Sequence, residues 1–323
     1  MVNIICPETG RQLNRIGENF VDFEGKVIPI INGAARFVDL NNYADNFGLQ
    51  WNKFKTTQLD RERDGLNLSR ERFFAETCWD KEDLSGKSIL EVGSGAGRFS
   101  KVVLEHTEGI LYSVDYSDAV SANFRNNSEI APHRFHLFQA SVYSLPFPDN
   151  TFDKIFCLGV LQHTPDFNAS IRDLIKKAKP GGEIVVDFYP IRGWWTKVSA
   201  KYLLRTITKR MSHEKLLQLI EANASWLIKF SLFLQKINLG ILTRFLPLVD
   251  LRTLPSSNLS ADEFREWVVL DTFDMFSPAH DHPQRIRDVA LMFERNGAEV
   301  SFAGFTDFGA GAKAAVVRGI KQS

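Results

Sequence analysis

Cysteine is scarce in this chain: Cys6, Cys78 and Cys157 are the three among 323 residues. They are far apart, odd in number and lack C-x-x-C spacing, so a disulfide framework is excluded and reduced thiols in a cytosolic protein are expected. An excess of either charge is missing as well. Lys plus Arg total 39 and Asp plus Glu total 39, which removes the global field that draws proteins to nucleic acid, so no nucleic-acid partner is expected. Long apolar runs are absent too. In the most apolar region Lys229, Gln235, Lys236, Asn238 and Arg244 break every window of about twenty residues, which excludes a transmembrane span. The first residues carry no basic segment followed by an apolar core, which argues for a cytoplasmic location. The length allows one large domain with additions, or two domains.

What is present is a strand, a tight turn and a helix. Ser88 to Val92 is a short apolar run, Gly93, Gly95 and Gly97 follow, and Phe99, Val102 and Val103 then recur at helical spacing. Glycine at such a turn permits positive φ and close approach of a ligand to the first free N–H groups of the helix. About twenty residues on, Ile110 to Asp115 reads as a second strand ending in an acid, where a carboxylate can accept from ribose hydroxyls. A dinucleotide fingerprint, G-x-G-x-x-G, would need a third glycine where Arg98 stands. A nucleoside ligand without a pyrophosphate is therefore favoured.

The same pattern continues downstream. Ser88–Val92, Ile110–Asp115, Phe135–Ala140, Phe152–Leu158 and Glu183–Tyr189 read as strands alternating with helical stretches, which predicts an α/β fold with a parallel sheet covered on both faces. Gly93 to Gly97, Asp115, Ala140-Ser141-Val142 and Gly159 to Thr164 all fall at the C-terminal ends of those strands. Four turns should then converge on one crevice, where the strand order reverses.

Glu91-x-Gly93-x-Gly95-x-Gly97, Asp115, the run Leu145 to Asp153, the run Leu158 to Asp166 and Lys179-Pro180-Gly181-Gly182 resemble the ordered motifs of class I S-adenosylmethionine-dependent methyltransferases. They are most similar to the ubiquinone-biosynthesis-like small-molecule branch. The resemblance covers Leu84 to Tyr189. It implies a doubly wound, mostly parallel seven-stranded sheet, with Glu299–Phe305 and Ala312–Arg318 as the closing antiparallel pair, and S-adenosylmethionine as cofactor. The implied cofactor-binding residues are Glu91, Gly93, Ser94, Gly95, Gly97, Asp115, Tyr116, Ser141, Val142 and Gly159. Gly93 to Gly97 would meet the amino-acid part, Asp115 the ribose, and Ser141 with Val142 the adenine. At Ser141 the family commonly has an Asp that accepts from the adenine amine; serine can accept there but carries no charge. Lys179 to Gly182 reads as a helix stop and turn.

His163 ends the fourth strand, near where the reacting methyl should point. As a neutral imidazole it could take a proton from a hydroxyl, with Asp166 orienting it, or it could simply shape the pocket. Methyl transfer needs alignment and desolvation more than a strong base.

Outside this span the resemblance is looser. Residues 1–40 resemble the small zinc-ribbon-like module fused to some methyltransferases, but Cys6 stands alone where pairs of cysteines belong, so the expectation is a metal-free β module. Residues 41–83 read as a helical extension. Phe47, Trp51 and Phe54 fall on one helix face that either packs on the domain or covers the ligand, with Gln50, Trp51 and Gln58 as candidates to touch it. Residues 84–323 are the remaining domain, interrupted by a helical insert at 191–256.

Within the insert, Trp194 to Leu254 mixes aromatics with Lys and Arg. It reads as a cap over a substrate, or as a basic amphipathic surface that rests on a membrane or grips a lipid-linked substrate. Trp267 to Pro283 reads as a turn-rich run with two His and three Asp. It could bind a metal or be a plain loop. By resemblance it closes the substrate pocket, with Asp271, His280 and His282 as substrate contacts and no metal.

The sequence thus predicts a methyltransferase that acts on a small acceptor, most plausibly an oxygen of a sugar, a quinone-like ring, a polyketide or a lipid-linked saccharide. A non-catalytic binding protein on the same fold and a nicotinamide-dependent oxidoreductase are the alternatives.

Overall fold

The computed structural model describes residues 2–39, 42–61, 65–254, 259–309 and 312–323. Met1, Leu40 and Asn41, at the expected edges of the first module, and Pro255 and Ser256, at the end of the expected insert, lie outside the described residues. The chain opens with five short strands: β1 (Ile4–Ile5), β2 (Gln12–Ile16), β3 (Asn19–Val21), β4 (Val27–Ile31) and β5 (Ala34–Arg36). Two helices follow, α1 (Asp45–Lys53) and α2 (Leu68–Thr77). Strands and helices then alternate as β6 (Ser88–Val92), α3 (Arg98–His106), β7 (Ile110–Asp115), α4 (Val120–Asn127), β8 (Phe135–Gln139), β9 (Phe152–Cys157), α5 (Phe167–Lys177) and β10 (Ala178–Phe188).

β6 is buried at all five positions, as a strand covered on both faces by helices must be. It lies between β7 and β9, parallel to both. β8 continues beyond β7 and β10 beyond β9, also in parallel. Strand order therefore reverses at β6, and the crevice above its C-terminal end is the topological switch point. Two long strands, β11 (Ala298–Phe308) and β12 (Ala312–Lys321), close the far edge antiparallel to β10.

The expected seven strands are part of a larger sheet. All twelve strands described form one mixed sheet, in the order β1-β2-β3-β4-β5-β8-β7-β6-β9-β10-β12-β11. The reason is β5, which pairs in parallel with β8 through Ala34, Ala35 and Arg36 and so joins the N-terminal antiparallel meander to the edge of the parallel sheet. Arg36 locks this join. Its guanidinium donates to Asp118 (2.7 Å), Gln139 (2.9 Å) and Ser121 (2.9 Å). Lys179 to Gly182, expected as a turn, lies inside β10 as a bulge between Ala178 and Glu183.

The insert is helical, as expected: α6 (Ala200–Thr208) and α7 (His213–Lys236) with short 3₁₀ turns after them. The run Trp267 to Phe276, expected as turn-rich, is instead the body of α8 (Ala261–Phe276). Ser260 and Glu263 form a reciprocal capping box that starts it, and the first helix breaker is the Ser277-Pro278 step. α8 buries Trp267, Val268, Leu270 and Phe273 against Leu216, Leu217, Ile220 and Leu227 of α7, a core separate from those on the two faces of the sheet. α9 (Ile286–Arg295) then covers β11 and β12. No helix among the described residues is long and apolar enough to cross a membrane.

Candidate functional site

Three of the five residues after β6 adopt positive φ. Gly93, Gly95 and Gly97 lie at 84°, 53° and 87°. A Cβ on Gly93 would fall 2.2 Å from Val160 Cγ2, and one on Gly97 2.1 Å from Asn123 Oδ1. Side chains are thus barred both by conformation and by space. The Gly93 and Ser94 N–H groups donate to the Val114 carbonyl at 2.7 and 3.1 Å. Gly95 N–H donates to Asp115 Oδ2 at 2.8 Å, which ties the turn to the end of β7. Asp115 Oδ1 accepts from the Ser117 N–H (2.8 Å) and hydroxyl (2.7 Å). With about four lone-pair sites on a carboxylate, the Oδ2 side keeps capacity for one more donor. Burial raises the Asp115 pKa.

Glu91 sits behind the turn. Its Oε2 accepts from the Ser100 and Ser113 hydroxyls, and Asn123 donates to both of those. Burial pushes the Glu91 carboxyl up to about 7. Glu91 therefore holds the loop from below.

The N-terminal helix covers this crevice. The Trp51 indole on α1 lies 3.1 Å from the position of a Cβ on Gly95. The neighbouring Gln50 is buried, with no partner on either end of its amide among the described residues. Ser94 Oγ is likewise buried and unpartnered. Tyr116 packs its ring on Tyr43, with centroids 4.7 Å apart. After β8, Ser141 Oγ accepts from the Tyr143 N–H at 3.2 Å, and Val142 is buried beside it. Gly159, at φ 76°, donates its N–H to Asp187, which also accepts from Arg72.

His163 is 5% exposed. Its Nδ1 lies 3.2 Å from the His280 carbonyl oxygen. A carbonyl only accepts, so in the neutral ring Nδ1 carries the hydrogen and Nε2 the lone pair. Nε2 is buried without a hydrogen-bond partner among the described residues and stands 3.9 Å from Asp274 Oδ2. Burial lowers the His163 pKa, and the Asp274 carboxylate opposes this. The expected orienting acid, Asp166, is elsewhere: it caps α5 by accepting from the Ala169 N–H at 2.9 Å, because it stands immediately before the first helical residue.

Tyr189 donates its hydroxyl to Asp274 (3.0 Å) and packs edge-on against His163. Lys201, from α6, pairs with the buried Asp281 (2.8 Å) and lies over the Tyr189 ring.

Of the other expected substrate residues, His280 meets His163 through its backbone, while its ring packs on Tyr43 and His282. His282 is exposed; its backbone N–H donates to the Gln162 carbonyl at 2.7 Å. Asp271 is not on a loop but on α8, where it accepts from Gln58 at 3.1 Å; Gln58 in turn accepts from Arg98 at 2.8 Å. Burial, and the Asp274 charge beside it, raise the Asp271 pKa. Among the described residues no group of three or more His, Cys, Asp or Glu is arranged to hold a metal.

Sequence reasoning missed Asp274, Tyr189, Lys201, Asp281 and Gln162. Asp271 and Asp274 share a helix face at i, i+3, a signal readable only once 261–276 is taken as a helix. Lys201 and Asp281 are eighty residues apart and gave none.

Six buried polar atoms have no partner among the described residues: Ser94 Oγ after β6, both ends of Gln162 and His163 Nε2 after β9, and both ends of Gln50 on the covering helix α1. Each such atom costs about 1–3 kcal/mol unless something satisfies it. A polar ligand carrying hydroxyls, an amine and a carboxylate fits that demand, as the nucleoside and amino-acid parts of S-adenosylmethionine would.

A family model described as a methyltransferase domain matches residues 90–186. Among curated proteins, a tRNA U34 carboxymethyltransferase of Nautilia profundicola is 32% identical over 111 residues, covering 34% of this chain and 37% of that protein. A demethylmenaquinone methyltransferase of Desulfitobacterium hafniense is 27% identical over 177 residues, covering 52% of this chain and 62% of its own. The chain thus spans less than two thirds of the length of either relative. Among solved structures, magnesium protoporphyrin IX methyltransferase from Synechocystis with bound SAH is 14% identical. The match covers 87% of this chain and 97% of that one, with a TM-score of 0.48. Residues 90–186 thus match a methyltransferase domain.

Proposed function

We propose that this protein methylates a small-molecule acceptor, at an oxygen, beside His163 and Tyr189, where α1 and α8 meet the strand ends. What supports the reading is the glycine turn tied to Asp115, with the unpartnered polar atoms of Ser94, Gln162 and His163 after the adjacent strands β6 and β9 and those of Gln50 on the helix whose Trp51 lies over the turn. When bound, S-adenosylmethionine supplies an electrophilic methyl on a sulfonium.

In this reading the backbone of Gly93 to Gly97 admits the amino-acid part, because no side chain intrudes there, and Asp115 Oδ2 accepts from a ribose hydroxyl. Ser141 and Val142 flank the adenine, and Gly159 lets the chain turn without filling the crevice. Gln50 and Trp51 cover the cofactor and exclude water, which strengthens each polar contact beneath them. His163 takes the acceptor's hydroxyl proton at Nε2, and the resulting imidazolium gains a counter-charge from Asp274. Tyr189 and Lys201 set the position of Asp274 and Asp281 on the rim. Alignment of the acceptor remains the larger contribution.

The relatives' names include a quinone-type acceptor and a tRNA. The balance of 39 basic against 39 acidic residues favours an uncharged or small acceptor over a polyanion. A sugar, a secondary metabolite or a lipid-linked saccharide fits the mixed polar and aromatic rim. Isothermal titration with S-adenosylhomocysteine tests the reading. Binding on the order of micromolar is expected. Absence of heat at millimolar ligand defeats it, and preferential binding of NADH would favour the oxidoreductase.

A further inference from the structure

α7 is apolar on two sides. Its inner stripe, Leu216, Leu217, Ile220, Ala224, Leu227 and Leu234, is buried against α8 and its neighbours. Its outer stripe faces solvent: Leu219, Trp226, Phe230, Phe233 and Ile237 recur at intervals of three, four or seven, and Ile241 follows in the next turn. Trp226 is 55% exposed, Phe233 53% and Ile241 71%. Isolated exposed apolar residues are ordinary, but a contiguous stripe of aromatics along one helix is not.

The charges around this stripe have one sign. From Ala222 to Val249 there is no Asp or Glu, while Lys229, Lys236 and Arg244 lie within it. Lys229 and Lys236 are exposed and form no ion pair among the described residues. In a chain whose total charge is zero, this is a local segregation. The indole N–H of Trp226 donates to Asn223 at 2.8 Å, so the ring can enter an apolar layer without stranding its donor.

We propose that this outer face of α7, with the turn at 240–245, docks on the surface of a phospholipid bilayer carrying anionic headgroups. The aromatics enter the acyl boundary and the lysines meet the phosphates. The helix lies on the surface and does not cross it, since its inner stripe is held in the protein core and no described helix has the composition of a span. A second copy of the chain is the poorer occupant. A two-fold contact would bring Lys229 and Lys236 of both copies together, with no carboxylate between residues 222 and 249 to offset them. α6, which sends Lys201 to Asp281 and over the Tyr189 ring, packs on the 240–245 turn and exposes Leu203 and Ile207, so the same insert reaches both the bilayer and the side chains around His163. The inference does not rest on the proposed methyl transfer.

Vesicle flotation of the full chain tests it, with phosphatidylcholine vesicles prepared with and without phosphatidylglycerol. The protein should float with the anionic vesicles and far less with the neutral ones. The F230E/F233E pair should weaken binding at least about tenfold. The K229E/K236E pair should reduce binding to anionic vesicles to the neutral level. All four positions are exposed, so melting temperature and S-adenosylhomocysteine affinity should stay unchanged and report folding separately. Protein that stays with the soluble fraction at millimolar anionic lipid overturns the proposal, as does flotation of both variants equal to that of the unaltered protein. A dimer that the same substitutions dissolve, with no flotation, assigns the face to a second copy instead.

Discussion

Glu91 shows at the residue scale how burial becomes pH dependence. Its carboxyl titrates at about 7 in the fold against 4.5 in the free side chain, so the folded state favours the protonated acid. A group raised in this way contributes stability that is full below pH 4.5 and lost as the pH rises through 7. Replacement by Gln removes the charge and keeps an acceptor for Ser100 or Ser113. Glu91→Gln should leave stability unchanged at pH 4 and raise it by about 3 kcal/mol at pH 8, as read from urea midpoints at the two values. His163 has the opposite sign. Its pKa lies below 6.5 because burial opposes the imidazolium, with Asp274 raising it and Lys201 lowering it. Ring-proton NMR should therefore find its midpoint below 6.5, lower still in Asp274→Asn, and higher in Lys201→Met. A midpoint above 6.5 in the unaltered protein would remove the neutral base from the proposed chemistry.

At the scale of the element, two joins decide how the site is built. β5 extends the sheet only because Arg36 finds Asp118, Gln139 and Ser121 at the edge of β8 and α4. Arg36→Ala strands the buried Gln139 oxygen and should cost roughly 2–3 kcal/mol. Amide exchange at Ala35 and Phe138, which pair at this junction, should quicken while that of Leu90 in β6 stays slow. Equal exchange at all three would mean that β5 and β6 open together. α8 is the second join: one helix carries Phe273 into the insert core and Asp274 to His163. A sequence pattern with apolar residues on two sides of a helix has no clear period, which is why this stretch reads as irregular. The bounds of β6 and β7, by contrast, match the residues predicted, since short fully buried runs between turns have few other solutions.

At the scale of the whole molecule, the two faces of the sheet and the insert each hold an apolar core. Their closure hides two of the three thiols. Cys6 and Cys157 are buried and Cys78 is exposed, so an aromatic disulfide reagent should consume a single thiol in the native protein and three in urea. Three reactive thiols in native conditions would mean that the N-terminal meander opens freely, because Cys6 belongs to it. The twelve-stranded sheet also explains why a count of strands by alternation stopped at seven: β1 to β5 are two to five residues long and show no period of their own.

The order of turns along one crevice was legible in the residues themselves. A glycine that must take positive φ, an acid that ends a strand and a histidine after the fourth strand are local requirements, and local chemistry states them. Only the folded chain decided which acid faces His163, which lysine reaches Asp281 and which helix covers the glycine turn. Those pairings join residues from about forty to more than a hundred positions apart, and nothing in the spacing of a sequence encodes contacts made by packing one layer upon another.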